Sequence, residues 1–258
     1  MMDSTIIQMG LLLTVFIGAS LLHGISGIGF TLIATTALAS IYPLPYAIVL
    51  VIFPSLLLNA LTWLIGGKRS IWQNFSHYSR RYWLLAVTSL LGSLLGAQLL
   101  LWVNSAYILL VLAAVIACYV LSTLWGKAIA LPNTQPVLIA VGLIAGIIGG
   151  ATNAMSAMLM MYLLSATDDK NTIAKVGNMC YFLGKLAQVI ILREPIMAMS
   201  SSEWQMIALI SGLSIVASLV GMRVHHYLPQ ARFRQLILFI VAILGVRIGW
   251  QGITALLL

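Results

Sequence analysis

Charge is what this sequence has least of. Only 7% of its 258 residues are Asp, Glu, Lys or Arg, against roughly 25% in soluble domains, and 62% are hydrophobic. So little charge cannot clothe a water-facing surface. Acidic residues are scarcer still: Asp3, Asp168, Asp169, Glu194 and Glu203 are the whole set, and each lies outside or at the edge of an apolar run. A relay of carboxylates inside the membrane is excluded. The two cysteines, Cys118 and Cys180, sit in apolar runs and are too few for a disulfide framework, and no CxxC or Cys/His cluster suggests a metal. Neither a metal nor another cofactor is expected. The opening Met1-Met2-Asp3-Ser4-Thr5 lacks the basic residues of a secretory signal, so the first helix should be retained.

What is present is apolar length. A bilayer core needs about 20 apolar residues, and such segments fall at about 48–66, 82–102, 105–125, 172–192, 204–223 and 233–254. Two further stretches, about 5–41 and 136–165, are interrupted by Gly24-Ile25-Ser26-Gly27-Ile28-Gly29 and by Gly146-Ile147-Ile148-Gly149-Gly150-Ala151-Thr152-Asn153. Irregular backbone at membrane depth survives only where protein or a watery cavity satisfies it, so both breaks should face inward. The expected fold is an all-α integral membrane protein of about eight hydrophobic helical segments.

The halves repeat. Gly24-Ile25-x-Gly27 matches Gly146-Ile147-x-Gly149 at an offset of 122, and Ser93-Leu94-x-Gly96 matches Ser218-Leu219-x-Gly221 at an offset of 125. Two four-segment repeats follow, 1–130 and 131–258, joined at Leu131-Pro132-Asn133-Thr134-Gln135-Pro136 into one membrane domain. Loop charge bears on their orientation. If every segment crosses, Lys68, Arg69, Arg80, Arg81, Lys127, Arg193 and Arg247 face Lys170, Lys175, Arg223, Arg232 and Arg234 across the membrane, seven to five. If each glycine-broken stretch is a re-entrant hairpin, only Arg193 and Arg247 lie opposite the other ten. The second split favours inverted repeats, a recurring transporter plan. The net charge of +8 thus reads as topology; without a basic aromatic face, nucleic acid is not an expected partner.

Helix N-termini at a break carry unsatisfied N–H groups and a partial positive charge, which suits a small oxyanion. Around the first break the candidates are Gly27, Gly29 and Thr31, and around the second Gly149, Gly150, Thr152, Asn153 and Ser156. The competing explanation is close packing of helices on small residues. Lys185 is the most informative residue, an ammonium mid-span with no acid in its segment. Intramembrane ionisable groups are functional candidates by default; the alternatives are a lysine kept neutral, or one whose stem snorkels to an interface. Asn178, Tyr181, Lys185 and Gln188 share a helical face. Lys175, one turn before Asn178, is an entrance candidate or only a loop charge, and His23 and Gln188 are further candidates for entrance or coupling. In the first half Asn59, Thr62 and Pro54 occupy the corresponding span without any charge.

The run Gly24-Ile-Ser-Gly27-Ile-Gly29 with its repeat Gly146-Ile-Ile-Gly149-Gly150, the opening Ala174-Lys175-Val176-x-Asn178, and the Gly96 and Gly221 positions resemble the sulfite exporter TauE/SafE family of membrane permeases. The resemblance covers essentially the whole chain. It implies a multi-pass protein of the bacterial inner membrane that carries sulfite, a sulfonate or a related organic anion. The chain departs from the family's fuller glycine run with Phe30-Thr31 and Thr152-Asn153, which leaves the anion open. Two other classes compete: a non-transporting scaffold, and a membrane enzyme acting on lipid, for which Asp168-Asp169 is the only acidic pair. The expected partners are a small anion and the lipid bilayer, with homo-oligomerisation left open.

Overall fold

The computed structural model describes residues 2–67, 69–124, 132, 134–224 and 230–257, and among these there are helices and no strand. Lys68, Lys127, His225, His226 and the joining residues Leu131 and Asn133 lie outside the described residues. The first broken stretch forms α1 (Met2–Ser26) and α2 (Phe30–Ala39), followed by α3 (Leu44–Leu64), α4 (Ile71–Arg81), α5 (Trp83–Trp102) and α6 (Ser105–Leu124). The second forms α7 (Gln135–Thr152) and α8 (Met155–Ala166), followed by α9 (Lys170–Ile191), α10 (Arg193–Met197), α11 (Ser201–Val224) and α12 (Gln230–Leu257). The six unbroken segments expected from hydropathy thus become α3, α5, α6, α9, α11 and α12. Among the described residues five helices are long and apolar enough to cross a membrane: α3, α5, α7, α11 and residues 105–122 of α6. α9 has the length, about 33 Å at 1.5 Å per residue, but carries Lys170, Lys175 and Lys185. The short α4 and α10 follow α3 and α9 and were not legible as apolar runs.

Each break reverses the chain. Gly27 and Gly29 adopt φ of 72° and 99°, a region that costs an L side chain but not glycine. α2 then packs back along α1, bringing the Phe30 ring to 5.7 Å from Phe16, ten residues before the end of α1. At the second break Asn153, at φ 65°, ends α7, and α8 returns against α9 with Met155 beside Gly184 and Met160 beside Gly177.

Glycine sets the tightest helix contacts. α5 and α7 meet backbone to backbone: a Cβ on Gly92 would strike the Leu143 carbonyl, one on Gly146 the Ser89 carbonyl, and one on Gly150 the Ser93 carbonyl. Gly142 beside Thr88, Gly146 beside Ser89 and Gly92, and Gly150 beside Ser93 and Ala97 rise together in number, so α5 and α7 run parallel. Gly24 and Gly221 do the same for α1 and α11 against Ser218 and Leu21. By contrast α6 and α12 are antiparallel, since Gly245, Gly249 and Gly252 meet Ile116, Ala113 and Leu110 in turn. α3 and α9 are antiparallel too: Lys175, near the start of α9, reaches the carbonyls that end α3. Gly66 and Gly67, just past α3, lie beside Met222 at the end of α11 and Asn171 at the start of α9.

Candidate anion site

α9 is the spine on which both breaks are mounted. Its N-terminus is fixed by Asp169, whose carboxylate accepts from the Asn171 and Thr172 N–H groups at 3.1 and 3.3 Å. Beside its first two turns, Asn178 Nδ2 donates to the Gly27 carbonyl at 2.6 Å, and the Ala174 methyl packs on Gly27. Ten residues further on, Gly184 and Gln188 lie beside the second break. The two breaks therefore touch α9 at different heights. Their contacts on α9 are ten residues, about 15 Å, apart along the helix, and Thr31 in the first turn of α2 reaches the cavity at the second break.

The second break carries a polar cluster. Lys185 is 4% exposed, and its ammonium donates to Asn153 Oδ1 and, at 2.7 Å, to Gln188 Oε1. Gln188 Nε2 donates to Asn153 Oδ1 at 2.8 Å and to the Gly150 carbonyl at 2.9 Å, while Asn153 Nδ2 donates to Thr35 Oγ1 at 2.7 Å. Every acceptor of Lys185 is neutral. The helices around it, α2, α5, α7 and α8, hold no acidic residue. A cavity of about 10 Å³ opens among Thr31, Gly149, Asn153, Met155, Tyr181, Gly184 and Lys185. That is room for about one water molecule. The Tyr181 hydroxyl is buried there without a hydrogen-bond partner. The N-termini of α2 and α8 have no side-chain cap, so their first N–H groups are free of side-chain competition.

A family model described as sulfite exporter TauE/SafE matches residues 11–248, from the third turn of α1 to about two thirds of the way along α12. The chain belongs to the sulfite exporter TauE/SafE family. As a TauE/SafE protein it is a multi-pass membrane transporter and not an enzyme. The comparison with curated proteins and that with solved structures each return no match.

In this TauE/SafE chain the structure brings Thr31, Gly149, Asn153, Tyr181 and Lys185 to one cavity and sets Gln188 and Gly150 directly behind it. Thr152 turns its hydroxyl back onto the Ile148 carbonyl at 2.6 Å and supports the turn from there. Buried Ser156 follows in the first turn of α8. Gly27, Gly29, Asn178 and His23 gather at the other break, where His23 Nε2 lies 3.0 Å from Thr62 Oγ1. Lys175 is not an open entrance charge. Its ammonium lies 3.0, 3.2 and 3.4 Å from the carbonyls of Ile65, Trp63 and Thr62, capping α3 as a cation caps a helix C-terminus. Three site residues escaped the sequence reading: Thr35, Met155 and Gly184. Thr35 follows Thr31 by one turn on the same face, a spacing that would have found it; Met155 and Gly184 carry no polar signal.

Proposed function

We propose that the chain carries a small sulfur oxyanion, sulfite, a sulfonate or a related organic anion, across the bacterial inner membrane, and that the anion binds against Lys185. The observation that carries this reading is a buried ammonium that lines a cavity and meets only neutral acceptors. Removing such a charge from water is expensive unless a counter-charge repays it. An oxyanion at the cavity supplies one, with the Asn153 turn, the Tyr181 hydroxyl and the N-terminus of α8 as further donors. The cavity has room for about one water, so this conformation is closed around the site, and passage requires the α7–α8 hairpin to move against α9.

The transport cycle follows from two inverted repeats, residues 1–130 and 131–258, with α1–α2 and α7–α8 as re-entrant hairpins entering from opposite faces. Three features support this arrangement: α3 and α9 are antiparallel, α6 and α12 are antiparallel, and α5 packs on α7 as α11 packs on α1. Ser55, Asn59 and Thr62 of α3 stand 126 residues before Tyr181, Lys185 and Gln188 of α9. The first repeat thus offers polar groups where the second offers a charge, which confines the anion to the second break.

The test is flux of sulfite and of small sulfonates in vesicles containing the purified protein, with thermal stabilisation by the same anions as a binding readout. Lys185→Gln should weaken binding about ten- to a hundredfold, the worth of a charge-assisted hydrogen bond, while the protein stays folded. Parent-like flux and stabilisation would remove Lys185 from the site.

A further inference from the structure

α4 has no role in the cluster just described, yet it is the most strongly amphipathic element of the chain. Its 11 residues, about 16 Å at 1.5 Å per residue, are too few and too polar to cross a bilayer. Ser70 and Gln73 cap its start reciprocally, and Asn74 Nδ2 ties it to the Leu64 carbonyl at 2.8 Å. The helix is therefore held rigidly at the end of α3. On one face Arg69, Gln73, His77, Arg80 and Arg81 line an open groove of about 670 Å³, with Trp72 at its wall. Trp72 is 74% exposed and stacks on exposed Phe75 at 5.4 Å, and Ile71 at the start of α4 and Trp83 just past its end are exposed as well.

We propose that this groove binds the headgroup phosphate of an anionic phospholipid from the surrounding leaflet. A basic amphipathic helix with aromatic residues on its flank lies in the interface plane, its rings at the level of the headgroups. The groove has the charge for a phosphate and the rings for the chain attached to it. Arg69 acts on Asp169, but among the described residues Arg80 and Arg81 have no carboxylate partner. Slight burial, with Arg69 and Arg81 nearby, holds the His77 imidazole below its ordinary range, which reports a field that an added cation would worsen and an anion would relieve. A zwitterionic lipid brings its own ammonium into that field. The exposed rings separate a lipid from a free phosphate ion, which has nothing to lay against Trp72 and Phe75.

The experiment titrates the purified full-length protein with short-chain phosphatidylglycerol, with phosphatidylcholine of the same chain length, and with inorganic phosphate, following bound lipid by native mass spectrometry. Phosphatidylglycerol should bind in preference to phosphatidylcholine, and inorganic phosphate should not displace it. Arg80→Gln with Arg81→Gln should weaken it about thirtyfold, from about 1 kcal/mol per basic residue. Should the double variant fail to fold, Arg80→Gln alone should give about fivefold. Equal binding of the two lipids, displacement by inorganic phosphate, or parent-like affinity in a folded variant would each overturn the assignment.

Discussion

Asn153 holds Lys185. The residue that turns α7 into α8, the one non-glycine at positive φ among the described residues, presents its side-chain carbonyl to the ammonium and to Gln188, and its amide to Thr35. One residue thus joins backbone reversal to charge placement, and the two roles can be separated. Asn153→Gly keeps the left-handed turn and deletes the carboxamide; Asn153→Ala deletes the carboxamide and strains the turn. Both should lose anion stabilisation at least tenfold, and the alanine variant should be less stable by about a further 1 kcal/mol. Anion binding retained in the glycine variant would leave the carboxamide outside the site.

Lys175 and Lys185 share a helix but belong to different parts of the molecule. The first closes the end of α3 through three carbonyls, the second faces the cavity. Lys175→Met should lower stability by about 2 kcal/mol, the upper value for a cation at a partly buried helix end, and leave sulfite affinity within about threefold. A large loss of affinity with stability intact would restore Lys175 as an entrance residue.

The spans were legible because apolar length is a one-dimensional signal, and each of the six unbroken segments matches a helix within a few residues. The breaks were legible as well, from glycine clusters inside apolar runs, although Gly24, Gly146 and Gly150 of those clusters serve close helix packing. What the sequence does not carry is depth. Nothing in Gly27 or Asn153 says beside which turn of α9 each break comes to rest. Lys175 was ambiguous for the same reason. A lysine near a helix start reads as a loop charge until the carbonyls of α3 are seen above it. α4 escaped because its pattern of Trp72, Phe75 and Arg80 is interfacial, and a search for apolar runs passes over it.

Acid should loosen the head of α9. The Asp169 carboxylate is held below its ordinary value of 3.8 chiefly by the Thr172 hydroxyl, which donates to it at 2.5 Å, with the Asn171 and Thr172 N–H groups and Arg69 adding to the effect. Because the folded value is the lower one, the stabilisation is fully present above about 4 and is lost as pH falls through the folded value. Asp169→Asn keeps an N-cap acceptor but has no charge to lose. Its melting temperature should fall less steeply than the parent's below pH 4, while Asp169→Ala should cost about 1 kcal/mol at pH 7. Parallel curves for parent and Asp169→Asn would show that the cap does not titrate.

The orientation of the halves can be read from the outside. Gly66 lies beside Met222 and Lys175 beside Ile65, so the end of α3, the start of α9 and the end of α11 share one face. α10, which follows the far end of α9, must then lie on the other. In a chain freed of cysteine by Cys118→Ser and Cys180→Ser, single cysteines at exposed Gln73, Arg223 and Met197 sample the two faces. An impermeant thiol reagent should modify positions 73 and 223 from the same side and position 197 from the opposite side. The loop-charge rule assigns the first side to the cytoplasm. Modification of 73 and 223 from opposite sides would require parallel halves, and α3 and α9, equivalent in the repeat, would then have to cross in one direction. The bond from Lys175 at the start of α9 to the carbonyls ending α3 cannot form in that arrangement, so this labelling result would exclude the fold and the transport scheme together.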